Sequence, residues 1–131
     1  MSSFTTYTET AVLNHMFRNV ALPSPGSVRV ALFTTAPTDA GGGTEASGSG
    51  YARQPVTFGA PTADSGKMKI SNSAAVTFTA AGGGIGPVVA VGVFDAATGG
   101  NLLAWSPITS ATIGDGDSIN FATGQIALTL A

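Results

Sequence analysis

Val28-Arg29-Val30-Ala31-Leu32-Phe33 reads as a β-strand, and the change of period around it decides the fold class. Val28, Val30 and Leu32 alternate with Arg29, Ala31 and Phe33, and the run is rich in the β-branched and aromatic side chains that suit a pleated surface. Upstream the period is helical. Between Thr6 and Val20 the apolar residues Val12, Leu13, Met16, Phe17 and Val20 fall on one face of a helix. Thr6 with Glu9 has capping-box spacing, and Pro23-Ser24-Pro25-Gly26 is a stop signal. The expected span is Tyr7 to Val20, with its apolar stripe docked on a sheet.

Downstream the strand pattern repeats. Further strands are predicted at Arg53 to Phe58, Lys67 to Asn72, Ala75 to Thr79, Val88 to Phe94, Asn101 to Ser106, Ser118 to Phe121 and Gln125 to Leu130. Short strands punctuated this densely by Gly and Pro predict a mainly β, antiparallel sandwich or barrel-like fold with one N-terminal amphipathic helix, spanning 1–131 as a single domain. Asp95 to Asn101 and Gly114 to Asp117 supply residues that tolerate positive φ, so both are expected to be hairpins. Thr35 to Gly50 is a Gly-rich loop longer than compact domains usually carry, expected to be mobile or ordered by a partner. Its Gly41 to Gly48 stretch is expected to be dispensable for folding. Ala80 to Gly86 is expected to be a flexible connection.

The chain has 131 residues, enough to bury a core unaided. Only 9% are charged, against about a quarter in ordinary soluble domains, so Ser, Thr, Gly and Ala must dominate the surface. A surface this neutral points to coverage by neighbours in an assembly. Net charge is -2 and the basic residues form no stripe, which argues against nucleic acid as a partner. With no cysteine there is no disulfide framework, thiolate metal site or cysteine nucleophile. Met1 to Thr10 has neither the basic nor the apolar region of a secretory signal, and the apolar runs are too short for a membrane span; a protein made and kept soluble is expected.

Catalytic groupings are weak. His15 is the one histidine, placed beside the helix's apolar face without a second ligand type at metal spacing. Asp115 and Asp117 lack the later bidentate Glu of a calcium loop, and fit a turn whose Asp side chains bond nearby backbone. Gly82-Gly83-Gly84-Ile85-Gly86 precedes a strand rather than a helix and lacks the Lys of a phosphate loop. The acids lie mainly in turns and caps, unlike a glycosidase pair. Trp105 and Tyr51 suggest either core or a sugar-stacking platform, and Arg53 either an interfacial ion pair or an exposed strand face. The expectation is a protein that is not an enzyme and uses no cofactor and no metal.

Several segments together resemble a family of small tailed-bacteriophage virion proteins, described as tail-fibre-like or as capsid decoration (cement) proteins. The resemblance covers nearly the whole chain. It rests on the N-terminal helix, on the run from Val30-Ala31-Leu32-Phe33-Thr34-Thr35 through Ala36-Pro37-Thr38-Asp39 to Gly43-Thr44-Glu45, and on Gly50-Tyr51-Ala52-Arg53. It continues in Val91-Gly92-Val93-Phe94-Asp95 through Gly99-Gly100-Asn101-Leu102-Leu103-Ala104 and in Gly116-Asp117-Ser118-Ile119-Asn120-Phe121. Where relatives tend to carry a Trp before Val91-Gly92-Val93-Phe94, this chain has the Gly82 to Gly86 segment.

The resemblance implies a virion structural protein. The first expectation is a decoration protein on the outer surface of the capsid, a homotrimer over a junction of the mature lattice that binds the major capsid protein and stabilises the head. The alternative is a tail- or fibre-associated protein contacting the host surface. The expected interface residues are Thr38, Asp39, Gly41, Gly42, Gly43, Thr44, Glu45, Tyr51 and Arg53. No heptad or collagen-like repeat is present to form a stalk, which favours a cap over a fibre.

Overall fold

The longest strands, β8 (Ile85–Phe94) and β9 (Leu102–Ile113), form an antiparallel hairpin closed by Asp95 to Asn101, as their turn residues predict. In this computed structural model, which describes residues 3–22 and 24–130, that hairpin is the centre of the largest sheet. β2 (Arg29–Thr35) lies against β8, with Val30 opposite Val93 and Leu32 opposite Val91. β1 (Ser3–Phe4) pairs with β9 at Ala104 and Trp105. On the far side of β2 two short strands share one edge: β3 (Thr44–Glu45) pairs with Phe33 and Thr35, and β4 (Gln54–Pro55) pairs with Arg29 and Val30.

The second layer comprises two smaller sheets. β7 (Val76–Thr79) pairs with β10 (Ser118–Phe121), and β6 (Lys67–Ser71) lies between β5 (Thr62–Asp64) and β11 (Ala127–Leu130). Among the described residues all pairings are antiparallel and none closes into a barrel, so the sandwich is the form adopted. Alternation along β7 aims Val76 and Phe78 at Val30, Leu32, Val88 and Val93 across the layer gap, and these side chains form the main core. Asn72, 1% exposed, sits at the seam of the smaller sheets. Its amide donates to the carbonyls of Ala74 (2.8 Å) and Ala122 (3.1 Å) and accepts from the Ile126 N–H (2.9 Å), so this buried polar group is satisfied.

Residues between the inward-facing ones on β2 make a second cluster on the opposite face, where Ala31, Phe33, Ala90 and Leu102 are buried with Phe94 and Trp105 against them. Gly92 belongs here: a Cβ on it would lie 2.7 Å from Leu102 Cδ1 and 2.8 Å from Phe33 Cε2, so only glycine lets these side chains meet.

Several expectations are corrected. Helix α1 (Thr6–Arg18) starts one residue early because Thr5, not Thr6, is the N-cap, its hydroxyl accepting from the Thr8 N–H. The helix ends at Asn19, which adopts the left-handed conformation at φ 57° and returns its N–H to the Asn14 carbonyl; Pro23 lies outside the described residues. No residue of α1 is buried, so its stripe is not docked on a sheet. Gly114 to Asp117 is a tight turn but not a hairpin, since β10 leaves β9 to pair with β7 in the other layer. β9 runs seven residues beyond Ser106, through a Ser/Thr-rich stretch with weak apolar patterning.

The Gly-rich segments are held by the chain itself. In Thr35 to Gly50, Thr38 and Gly41 form a β-bridge, Thr44 and Glu45 join the sheet and Ala46 is buried. Gly43 packs so closely that a Cβ would lie 2.6 Å from the Thr35 carbonyl oxygen. Gly41 to Gly48 thus contains residues built into the sheet and the core rather than only a free loop. The Ala80 to Gly86 connection is tied down by Ser49, whose hydroxyl donates to the Gly84 carbonyl at 2.8 Å, and by Asp115, which accepts from the Gly82 N–H at 3.1 Å.

Candidate functional site

Because β3 and β4 both pair with β2 but do not meet, a gap in the ladder opens beside Leu32. The Leu32 carbonyl is reached by the Ala46 N–H at 2.8 Å, while the Leu32 N–H donates to the Tyr51 hydroxyl at 3.1 Å. The phenol thus takes the place of a strand carbonyl. Its ring stacks on Phe78 with centroids 6.0 Å apart, and its own proton goes to Glu45 Oε2 at 2.6 Å.

Glu45 also receives Arg53, with Nε 2.8 Å from Oε2 and Nη2 2.8 Å from Oε1. Arg53 Nη1 donates to the carbonyls of Ala96 (3.0 Å) and Gly99 (2.8 Å), and the guanidinium stacks 3.6 Å from the Phe94 ring centroid. One side chain therefore joins the β2 edge to the β8–β9 turn. Burial pushes the Glu45 carboxyl up, but the hydrogen bonds from Arg53 and Tyr51 and the Arg53 charge outweigh it and leave the group below its ordinary range. Burial and the bond to Glu45 raise the Tyr51 phenol far above its ordinary value.

This geometry divides the nine expected interface residues. Glu45, Tyr51 and Arg53 are brought together but satisfy one another: Tyr51 is in the core wall rather than on a sugar-stacking surface, and the Arg53 side chain is 8% exposed in an intramolecular ion pair. Thr38, Asp39, Gly42, Gly43 and Thr44 are exposed and Gly41 partly so, on a loop that turns back over the second apolar cluster. Asp39 anchors it by accepting from Trp105 Nε1 at 3.1 Å and from the Thr6 N–H at 2.8 Å. His15 bonds the Val20 carbonyl at the exposed helix end. Among the described residues no three of His, Asp and Glu are grouped to hold a metal ion, and no helix is long and apolar enough to cross a membrane.

The sequence reading missed the exposure of one surface and the existence of another. The first is the α1 stripe, where Leu13, Met16 and Phe17 are 57%, 67% and 80% exposed, with Val20, just past the C-cap, 43% exposed. Periodicity reveals such a stripe but not what covers it. Thr5 and Thr8 fasten only the start of the helix, through hydroxyls 2.6 Å from the Leu102 carbonyl and 2.7 Å from that of Leu103. The second is a cleft of about 510 Å³ between the layers, walled by Val91, Ala104, Ile108, Phe121 and Leu128, with Lys67 also lining it. Its walls come from β8, β9, β10 and β11, strands distant from one another in sequence, so it is a tertiary property with no local signal.

Comparison with known proteins places these features in a family. The family model described as podophage GP4 fiber I protein gp80 matches residues 3–129, nearly the entire chain. No curated protein matches it.

Proposed function

The chain belongs to the Gp80 family of podophage fibre I proteins, and from that premise we propose that it is a structural subunit of a podophage virion fibre, contributing packing surfaces rather than catalysis. The match over residues 3–129 is the observation that carries this reading. The geometry supports it, because the closest set of ionisable groups, Glu45, Tyr51 and Arg53, is spent on internal bonds while the most exposed apolar groups lie on α1. A contact with the host surface under this reading falls to the exposed Thr38 to Thr44 loop, since the Tyr51 ring faces inward.

A second reading is a homotrimeric decoration protein on the outer capsid, touching the major capsid protein through the same loop. It is favoured by a compact sandwich with no stalk. Binding only the mature lattice would add stability by mass action, and repetition over the shell would multiply it. Cryo-electron microscopy of the particle with a small tag after Ala131 separates the two. Tag density on the tail appendages supports the fibre role; density at lattice junctions of the head overturns it in favour of decoration.

A further inference from the structure

Among the described residues, the hydrogen bonds that fasten the N-terminal arm to the sandwich all lie at its start. We propose that β1 and α1 form a strap that unlatches as a unit, and that its latch controls the order of the Thr38 to Thr44 loop. This rests on the reading of that loop as the contact surface and concerns its regulation. No residue of α1 is buried and residues 19–22 and 24–26 beyond it are exposed, so burial contributes little to holding the helix in place. The latch is Thr5, 2% exposed, whose N–H and hydroxyl donate to the carbonyls of Leu103 (3.1 Å) and Leu102 (2.6 Å). The Thr8 hydroxyl adds a bond to Leu103 at 2.7 Å, and Ser3 and Phe4 pair with Trp105 and Ala104. An element held by a few hydrogen bonds at one end opens locally at a free energy well below that of global unfolding.

The same latch reaches the loop. The Thr6 N–H donates to the Asp39 carbonyl at 2.8 Å, and Asp39 Oδ1 accepts from Trp105 Nε1 at 3.1 Å. Asp39 is therefore gripped on one side by the strap and on the other by a side chain whose own backbone the strap pairs with. Unlatching takes away the Thr6 bond and leaves the loop with Trp105 and its own bridge between Thr38 and Gly41. The tip has room to respond: a Cβ built on Gly41 or Gly42 meets nothing within 4 Å. Linkage makes the effect reciprocal, so whatever holds the loop in its present shape closes the strap by the same factor as a closed strap favours that shape.

The test is amide hydrogen exchange on the full chain, read residue by residue by NMR. In wild type the hydrogen-bonded α1 amides are expected to exchange about a hundredfold or more faster than those of β2 and β8. Thr5→Val combined with Thr8→Val keeps side-chain shape and removes the latch hydroxyls. It should speed exchange of the α1 amides, and with them those of Thr38 and Gly41, by about tenfold or more while β2 and β8 stay unchanged. A second variant closes the strap instead: Phe4→Cys with Ala104→Cys places thiols on Cα partners across β1 and β9, and oxidation should slow both sets of amides while reduction restores them. Wild-type α1 amides as slow as those of β2 and β8 overturn the strap. Thr38 and Gly41 amides that respond to neither the valine pair nor the disulfide overturn its hold on the loop. These rates belong to the isolated chain, whereas what the loop touches is read on the particle, so the coupling and the contact reading fail separately.

Discussion

Arg53 grips both carboxylate oxygens of Glu45 at 2.8 Å, and it does so inside one chain rather than across an interface. The pair closes a cluster that also holds the Tyr51 phenol in the gap of the β2 ladder. Its role is therefore architectural: it fixes the end of the long Gly-rich loop to the turn between β8 and β9.

Arg53→Lys should lower folding stability by about 1–3 kcal/mol, because one ammonium cannot reproduce a two-point grip on Glu45, two carbonyl bonds and a flat stack on Phe94. Urea unfolding followed by tryptophan fluorescence measures it. A midpoint unchanged from wild type would mean that the cluster contributes nothing to folding.

Acid should act through Glu45. Its folded value lies below the unfolded one, so its contribution is complete above the unfolded value of about 4.3 and is lost as pH falls through the folded value. The thermal midpoint of wild type should drop more steeply between about pH 5 and pH 3 than that of Glu45→Gln. Parallel slopes would assign the acid sensitivity elsewhere.

Alkali should act through Tyr51 with the opposite sign. A phenol raised in the folded state contributes fully below the unfolded value of about 10, and the contribution is lost as pH rises beyond it. Tyr51→Phe should flatten the fall in thermal midpoint above about pH 10, at the cost of a lower midpoint near neutrality from the lost bonds to Leu32 and Glu45.

Gly41 and Gly43 both have positive φ, 96° and 76°, but only Gly43 is hemmed in by backbone, with Pro37 N 2.8 Å from a built Cβ as well as the Thr35 oxygen. Alanine at either position incurs a conformational cost of about 1–2 kcal/mol. Gly43→Ala should cost about 1–3 kcal/mol more than Gly41→Ala because the loop must also move. Equal denaturation midpoints would indicate a loop that is not packed on the sheet.

Asn72→Ala should be among the most damaging single changes, since it strands the carbonyls of Ala74 and Ala122 and the Ile126 N–H in a buried seam. A loss of about 2–4 kcal/mol is expected from chemical denaturation. A loss under 1 kcal/mol would mean that water reaches the seam and replaces the amide.

Local signals carried much of the architecture. The alternation from Val28 to Phe33, the helical stripe from Val12 to Val20 and the turn residues from Asp95 to Asn101 were sufficient for a mainly β fold with one N-terminal helix and a β8–β9 hairpin, because each depends on side-chain period or on backbone freedom of neighbouring residues. Strands of two or three residues, such as Ser3–Phe4, Thr44–Glu45 and Thr62–Asp64, have no period to read.

The order of Thr35 to Gly50 depends on a carboxylate, a phenol and a guanidinium that meet only after β2 and the β8–β9 turn are assembled. The destiny of the α1 stripe is of the same kind: an apolar period states that a face seeks cover, and only the folded chain reveals that no part of its own described surface provides it. The sequence alone determined which segments are pleated, which is coiled and how little charge the surface carries, since these follow from residue type and spacing. Which side chains bury one another, and which apolar surfaces are left over, was decided by tertiary structure, because burial is a relation between segments distant in the chain.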